Sequence, residues 1–300
     1  MNIFGWTKTE LADALRAEGI PRFRADQVIR WMYQRGAVSF DVMDNLPKLL
    51  RAQLAERFSI ERPQVGARLT SADGATIKLL YEFADGQTAE TVLMRHPYGN
   101  SVCVSTQAGC RMGCAFCAST LHGLARNLTV GEIAAQVIGM ADYLRQEGAH
   151  VDTIVVMGSG EPLENYDNVI GALRLLHADD TIGLSYRGIT LSTSGIVPGI
   201  LRLSEEGMPI YAECGGYMYL MRSMVDFAGA EHEMAGVFAA RARMTERLQM
   251  VGYVEAEQTE DTILGAAGLI LHGHEFHFSV EETEAEESGL RPFRFTKLRS

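Results

Sequence analysis

Cys110-Arg111-Met112-Gly113-Cys114-Ala115-Phe116-Cys117 decides how this chain is read. Three thiols stand at the spacing C-x3-C-x2-C, directly after the β-rich run Ser101-Val102-Cys103-Val104-Ser105. Thiolates are the ligands that iron–sulfur clusters take. A loop this short can point three sulfurs at one centre without help from distant residues. The common cubane is held by four cysteines, so three leave one iron open to a small molecule carrying an amine and a carboxylate. A structural zinc site is the alternative. Such a site closes with four ligands, and no fourth Cys or well-spaced His lies near these three.

Outward from the loop, the pattern alternates strand and helix. Val102–Ser105 reads as a strand ending at the loop. Thr129–Met140 reads as a helix, with Thr129 as N-cap and Glu132 three residues on. Val151–Met157 reads as a buried strand, Asn165–His177 as a helix, Gly188–Leu191 as a strand and Val197–Glu206 as a helix. Repeated βα units imply a parallel sheet, and in parallel barrels chemistry collects at the C-terminal strand ends. Cys110–Cys117, Gly158–Glu161 and Ser192–Gly195 all fall at such ends. In Gly158-Ser159-Gly160-Glu161-Pro162 the glycines permit close backbone approach, and the carboxylate suits an amino group. A plain strand-to-helix turn is the simpler reading of those residues alone.

The front of the chain differs. Residues 8–60 carry apolar residues at helical spacing, and 66–105 read as β, with a hairpin turn at Ala84–Gln87 between Thr76–Phe83 and Glu90–Met94. Arg22, Arg24, Arg30 and Arg35 are spaced to share a surface with Trp31 and Tyr33. That pattern suits an RNA-contacting face, or simply a solvated helix face with the aromatics in the core.

Composition sets the outer bounds. Of 300 residues, 47% are hydrophobic and 22% charged, which is ordinary for a globular protein. No run reaches the ~18 apolar residues of a membrane span, and the N-terminus lacks a signal-peptide layout. Five cysteines clustered in mid-chain do not form a disulfide framework, so a reducing cytoplasm is expected. The net charge of −11 is uneven: residues 1–126 hold 15 Lys/Arg and 12 Asp/Glu, the remainder 12 and 26. Only the front could offer RNA a basic surface.

An aromatic before the last Cys, Phe116, makes the cysteine loop resemble the radical S-adenosylmethionine (SAM) signature. Cys103-Val-Ser-Thr-Gln-Ala-Gly-Cys110, Met157-Gly-Ser-Gly-Glu-Pro162 and Thr190-Leu-Ser-Thr-Ser-Gly195 narrow this to the RlmN/Cfr family over about residues 1–208. The resemblance implies a partial (β/α) barrel and methylation of adenine C2 in 23S ribosomal RNA, and of tRNA. It implies a [4Fe–4S] cluster on Cys110, Cys114 and Cys117, SAM at Gly160, Glu161 and Ser192, and an electron donor such as flavodoxin. It further implies Glu90 as proton acceptor and Cys103 as the thiol that resolves a covalent RNA adduct. Without it, Glu90 is an exposed strand carboxylate and Cys103 a buried strand cysteine.

After Gly207-Met208-Pro209-Ile210 that likeness stops. The family's further barrel units and its methyl-carrying cysteine do not follow, and the one later cysteine is Cys214. Pro209–Leu220 reads as a strand, a sharp turn at Cys214-Gly-Gly and a helix: a nucleophile elbow. With Gly252-Tyr-Val-Glu-Ala256 and Gly273-His-Glu-Phe-His-Phe278 it resembles the glutamine amidotransferase domain of cobyrinate a,c-diamide synthase over about 209–280. That resemblance implies Cys214 as the thiol attacking glutamine. A cysteine nucleophile needs a base; His272, His274 and His277 are candidates by type, while the family's own His is expected in a later segment. The expected layout is α/β throughout. A helical RNA-binding accessory domain (1–60) and a β-rich linker (61–100) precede a truncated radical SAM barrel (101–208). A partial flavodoxin-like class I amidotransferase fragment (209–280) and a loosely ordered charged tail (281–300) follow. An inert fusion of two partial sheets is the non-enzymatic reading.

Overall fold

The computed structural model describes residues 1–283 and 293–297. The chain forms two compact units, residues 1–196 and the residues from 197 onward.

In the first unit, α1 (Lys8–Ala17), α2 (Arg24–Tyr33) and α3 (Lys48–Arg57) make the helical front. Thr7 and Glu10 cap α1 reciprocally, each satisfying the other's backbone N–H. Leu11 and Leu15 on α1, and Val28, Ile29 and Met32 on α2, are fully buried, because their spacing places them on one stripe. Tyr33 is fully buried as well, its hydroxyl accepting from Gly5 N at 2.8 Å. Tyr33 thus follows the second of the two readings, an aromatic in the core behind a charged helix face. Trp31 stays half-exposed under the Arg35 guanidinium at 4.5 Å. Arg22 pairs with Asp13 and Arg30 with Asp26.

The sheet follows. β1 (Gln64–Thr70), β2 (Thr76–Glu82), β3 (Thr88–His96) and β4 (Gly99–Cys103) run antiparallel in sequence. The turn between β2 and β3 falls at the Asp85-Gly86 signal, with Asp85 accepting from Gln87 N. A short ribbon, β5 (Gln107–Gly109) with β6 (Leu124–Asn127), comes next. α4 (Val130–Gln146) then crosses over to β7 (Thr153–Val156), and α5 (Tyr166–His177) to β8 (Ile189–Leu191). Thr129 and Glu132 cap α4 as their spacing predicts. β7 and β8 run parallel to β4, giving one six-stranded sheet in the order β1-β2-β3-β4-β7-β8.

Alternation sorts this sheet into two faces. Leu79, Tyr81, Thr91, Leu93, Val102 and Ile154 share the buried face by register. α4 covers it: Thr91 Oγ1 donates to Gln136 Oε1 at 2.7 Å. A Cβ at Gly139 would stand 2.1 Å from the Tyr81 hydroxyl, so only glycine lets the helix approach this closely. The opposite face carries Glu90, Val92, Cys103, Val155 and Thr190.

The second unit holds α6 (Val197–Glu205), α7 (Gly215–Leu220), β9 (Met221–Val225), β10 (Glu231–Glu233), β11 (Phe238–Met244), β12 (Met250–Gln258), β13 (Ile270–His277), β14 (Ser279–Thr283) and β15 (Phe293–Lys297). They form two sheets, β10-β9-β11-β14 and β13-β12-β15. Met221, Ala240 and Ala242 make a small core with Met218 and Met224 against it.

Three expectations change here. Residues 209–213 form no strand. A strand exists where a neighbour takes up its N–H and C=O groups, and the strands of this unit pair with one another instead. The flavodoxin-like layout is not seen among the described residues: β9 with β11 is the one parallel pair in this unit. Parallel strands need crossovers of a dozen or more residues, usually helical, and among the described residues no helix lies between the strands of this segment, α7 standing before β9. The tail begins as strand, since residues 281–283 lie in β14 and 293–297 in β15. Among its described residues, Glu282 pairs with Arg241 and Arg243, and Arg294 with Glu257. The rest of the predicted tail lies outside the described residues.

Candidate active site

The cysteine loop is the tip of the β5–β6 ribbon, an element that the strand–helix pattern did not reveal. Gly109 at its start has φ +78°, and a Cβ there would lie 2.0 Å from the Gly123 carbonyl. Glycine at this position lets Cys110 N donate to Gly123 O at 3.0 Å, closing the loop. Gly113 takes φ +71°, and Cys117 N donates to Cys114 O at 3.0 Å, so the chain turns twice between the thiols. Cys110 is buried, Cys114 and Cys117 are half-buried, and none is in a disulfide. Phe116 is 94% exposed beside them.

Among the described residues no three Cys, His, Asp or Glu converge closely enough to hold one metal ion. A cubane takes each thiolate on a different iron, and Cys110, Cys114 and Cys117 are three free thiols on one short loop.

β7 ends in the Gly158–Glu161 turn, which is seated on the ribbon. A Cβ at Gly158 would meet Ser105 Oγ at 2.6 Å and Val104 O at 2.7 Å. Gly160 has φ +103°, and a Cβ there would lie 2.6 Å from Gln107 Cβ. Glu161 is 3% exposed. Its carboxylate accepts from Leu163 N at 2.9 Å, Thr193 Oγ1 at 2.7 Å, Ser194 N at 2.7 Å and Ser194 Oγ at 2.8 Å. A carboxylate offers about four acceptor positions, so Glu161 is saturated by its own chain. To receive an amine it must exchange one of these partners. Ser192 is exposed, with its backbone N–H donating to Val156 O at 3.3 Å. The structure thus brings Gly160, Glu161 and Ser192 together through the loop after β8.

Cys103 closes β4, opposite Val92 on β3 and Val155 on β7. Burial pushes its thiol pKa up, against a smaller opposing effect of the Met157 backbone, so the protonated thiol is favoured. Glu90 lies two residues from Val92 on the same face, a diagonal neighbour of Cys103 at roughly 7–8 Å between backbones. Its carboxylate is held by Lys78 Nζ at 3.1 and 3.2 Å. Glu90 and Cys103 therefore share the sheet face away from α4.

In the second unit, Cys214 is exposed and has φ 53°, ψ −123°, the one positive φ among the described non-glycine residues. The predicted turn is present, but not its strand. His277 bonds Glu275 and Ser279 O, His272 lies 3.7 Å from Glu255, and His274 packs edge-on to Tyr253. None of these contacts is with Cys214.

Sequence reading missed Gln107, Thr193, Ser194 and the Arg111–Glu164 pair at 2.7 Å. Gln107 alone gave a signal: it is a long polar residue in a run of small and apolar ones.

Comparison with known proteins follows the same division. Residues 1–60 match the ribosomal RNA large subunit methyltransferase N-terminal domain, residues 104–234 the radical SAM superfamily, and residues 186–297 the CobB/CobQ-like glutamine amidotransferase domain. The chain is 52% identical over 206 residues to a probable dual-specificity RNA methyltransferase RlmN of Symbiobacterium thermophilum, covering 69% of this chain and 55% of the relative. It is 51% identical over 209 residues to the protein of the same description in Geobacillus kaustophilus, covering 70% and 57%. The front of this chain is similar to the RlmN methyltransferases. A radical SAM methyltransferase from Sphaerobacter thermophilus has a related structure, with TM-score 0.67 and 44% identity over 70% of this chain and 62% of that one. The chain spans little more than half the length of the curated RlmN relatives it matches. The amidotransferase match begins inside the radical SAM match, so residues 186–234 are claimed by both. No helix among the described residues is long and apolar enough to cross a membrane.

Proposed function

We propose that residues 1–208 are the front of an RlmN-type radical SAM enzyme that methylates adenine C2 in 23S rRNA and tRNA. The supporting observation is that the Gly158–Glu161 turn, at the C-terminal end of β7, touches both the strand leading into the cysteine loop, through Gln107, and the Ser192–Gly195 loop after β8, through Glu161. Cys110, Cys114 and Cys117 would hold a [4Fe–4S] cluster, which when bound and reduced by a donor such as flavodoxin supplies the electron that cleaves SAM. Gly160, Glu161 and Ser192 would orient the amino-acid end of SAM. Glu161 would trade the Ser194 or Thr193 hydroxyl for its ammonium. Glu90 would take a proton, and Cys103 would act as the second thiol. Its raised pKa keeps the thiol protonated until a base acts, and Glu90 is the carboxylate on that face. Residues 1–60 would contact RNA, and 101–208 would form the catalytic barrel, joined by 61–100, whose strands β1–β3 extend its sheet. A reducing cytoplasm suits these thiols.

We infer too that residues 1–300 by themselves stop short of full transfer, because no cysteine beyond Cys117 except Cys214 is available to carry the methyl group. The strained turn at Cys214 and the match over 186–297 favour a second reading, a glutamine amidotransferase fragment of corrin biosynthesis.

The test is anaerobic reconstitution with iron and sulfide, then EPR of the reduced protein with and without SAM. A [4Fe–4S] signal shifted by SAM is expected, lost in Cys114→Ala and kept in Cys214→Ala. A protein that takes up no cluster, or whose cluster ignores SAM, sinks the first reading. Glutamine turnover abolished by Cys214→Ala would establish the second.

A further inference from the structure

We propose that Gln107 is a positioning residue that sets the SAM-binding turn against the cluster loop. The inference rests on the functional reading above and adds a residue to it. Gln107 is fully buried on β5, three residues before Cys110. Its Oε1 accepts from Glu161 N at 2.8 Å. Its Nε2 donates to Asn127 Oδ1 at 2.7 Å and lies 3.5 Å from Glu164 Oε2. Only this orientation of the carboxamide is consistent, because the Glu161 partner is a backbone donor, and Asn127 spends its own amide on Glu164 O at 3.4 Å.

The backbone joins the same contact. Gln107 N donates to Ser159 O at 3.2 Å, and Gly160 rests on Gln107 Cβ where no side chain would fit. On the far side, Glu164 accepts from Arg111 Nε at 2.7 Å, and Arg111 lies between the first two cluster thiols. A continuous polar path therefore runs from Arg111 through Glu164 and Gln107 to the Glu161 backbone, whose carboxylate grips Thr193 and Ser194. The open iron and the carboxylate for the SAM amine belong to different loops. One ligand can span them only if their separation is fixed. Gln107 is fully buried, bonds the Glu161 backbone, and lies on the strand that leads into the cysteine loop.

Gln107→Met keeps the length and the burial but leaves the Glu161 N–H without a partner. Without that hydrogen bond the turn can shift from the position that suits SAM, and about a tenfold loss of affinity is expected. Each reconstituted protein is titrated with SAM, and its iron content, reduced EPR signal and thermal midpoint are recorded. Gln107→Met is expected to keep its iron, bind SAM about tenfold more weakly and show a smaller EPR shift. Arg111→Met, at the exposed end of the path, is expected to keep its iron and fold and to weaken SAM a few-fold. Variants that lower the thermal midpoint while binding SAM as tightly as the parent overturn the proposal. So does loss of iron in Gln107→Met beside unaltered SAM binding in Arg111→Met. A parent that binds no SAM overturns the functional reading and this inference together; a parent that binds it beside variants that bind equally well overturns this inference alone.

Discussion

The Gly158–Glu161 turn and the turn at Cys214 follow the same local recipe, a chain that doubles back sharply and enters a helical segment, yet they end differently. The first leaves β7, which is paired on both sides by β4 and β8. Its awkward backbone falls on glycine, and the Glu161 side chain is buried under four donors. The second follows five residues with no strand partner, puts φ 53° on a cysteine and leaves that cysteine exposed. A sequence pattern can dictate the bend. The sheet on which the bend is mounted decides whether side chains converge there.

The sharpest way to break this comparison is to put a side chain where the first turn excludes one. Gly160→Ala adds a Cβ at φ +103° and 2.6 Å from Gln107. Overpacking and a left-handed alanine together are expected to cost about 2–4 kcal/mol, read from denaturant unfolding of the first unit. A loss under about 0.5 kcal/mol would mean that the turn is not held tightly by the ribbon.

How much of this was legible beforehand varied with the range of the interaction. The cap Thr129–Glu132, the Asp85-Gly86 hairpin and the βα rhythm from Ser101 are local patterns, and the structure has all three. The placing of Gly158–Glu161 beside Ser192–Gly195 was also readable, because the parallel order fixes which strand ends lie together. Gln107 and the β5–β6 ribbon were not, since a three-residue strand has no period to detect. Charge spacing alone left Tyr33 either on a basic surface or in the core, because it does not say which way a helix faces; the Gly5 contact settles it as core. The strand at 209–213 failed for the opposite reason. Its residues suit a strand, but pairing is supplied by partners elsewhere in the chain, and pattern alone cannot supply them.

The second turn should respond in the reverse sense to the first. Residues held in sparsely populated backbone regions cost about 1–3 kcal/mol, and glycine removes most of that cost while losing some stability through the unfolded state. Cys214→Gly is therefore expected to stabilise the second unit by about 1 kcal/mol, whereas Cys214→Ala keeps the same backbone and should leave stability nearly unchanged. A destabilising Cys214→Gly would show that the thiol makes contacts that offset the strain.

The smallest expected effect concerns surface charge, and it separates the units by pH. In the second unit, hydrogen bonds from Arg243 and Arg241 hold Glu282 down at about 2, from an ordinary 4.5. In the first, Arg126 holds Asp85 down at about 2, from 3.8. A carboxyl whose pKa is lower folded than unfolded stabilises the fold above its unfolded pKa, and that contribution is lost as pH falls toward the folded value. The β11–β14 pairing should thus begin to weaken below pH 4.5, and the contact of the β2–β3 turn with β6 only below pH 3.8. Asp85 is exposed and Glu282 half-exposed, so the effects should be modest and reduced by salt. Hydrogen exchange of the two regions from pH 5 to pH 2.5 reads them separately. Arg241→Met with Arg243→Met should remove the earlier step alone; if the step survives, charge pairing at Glu282 is not what holds β14 in place.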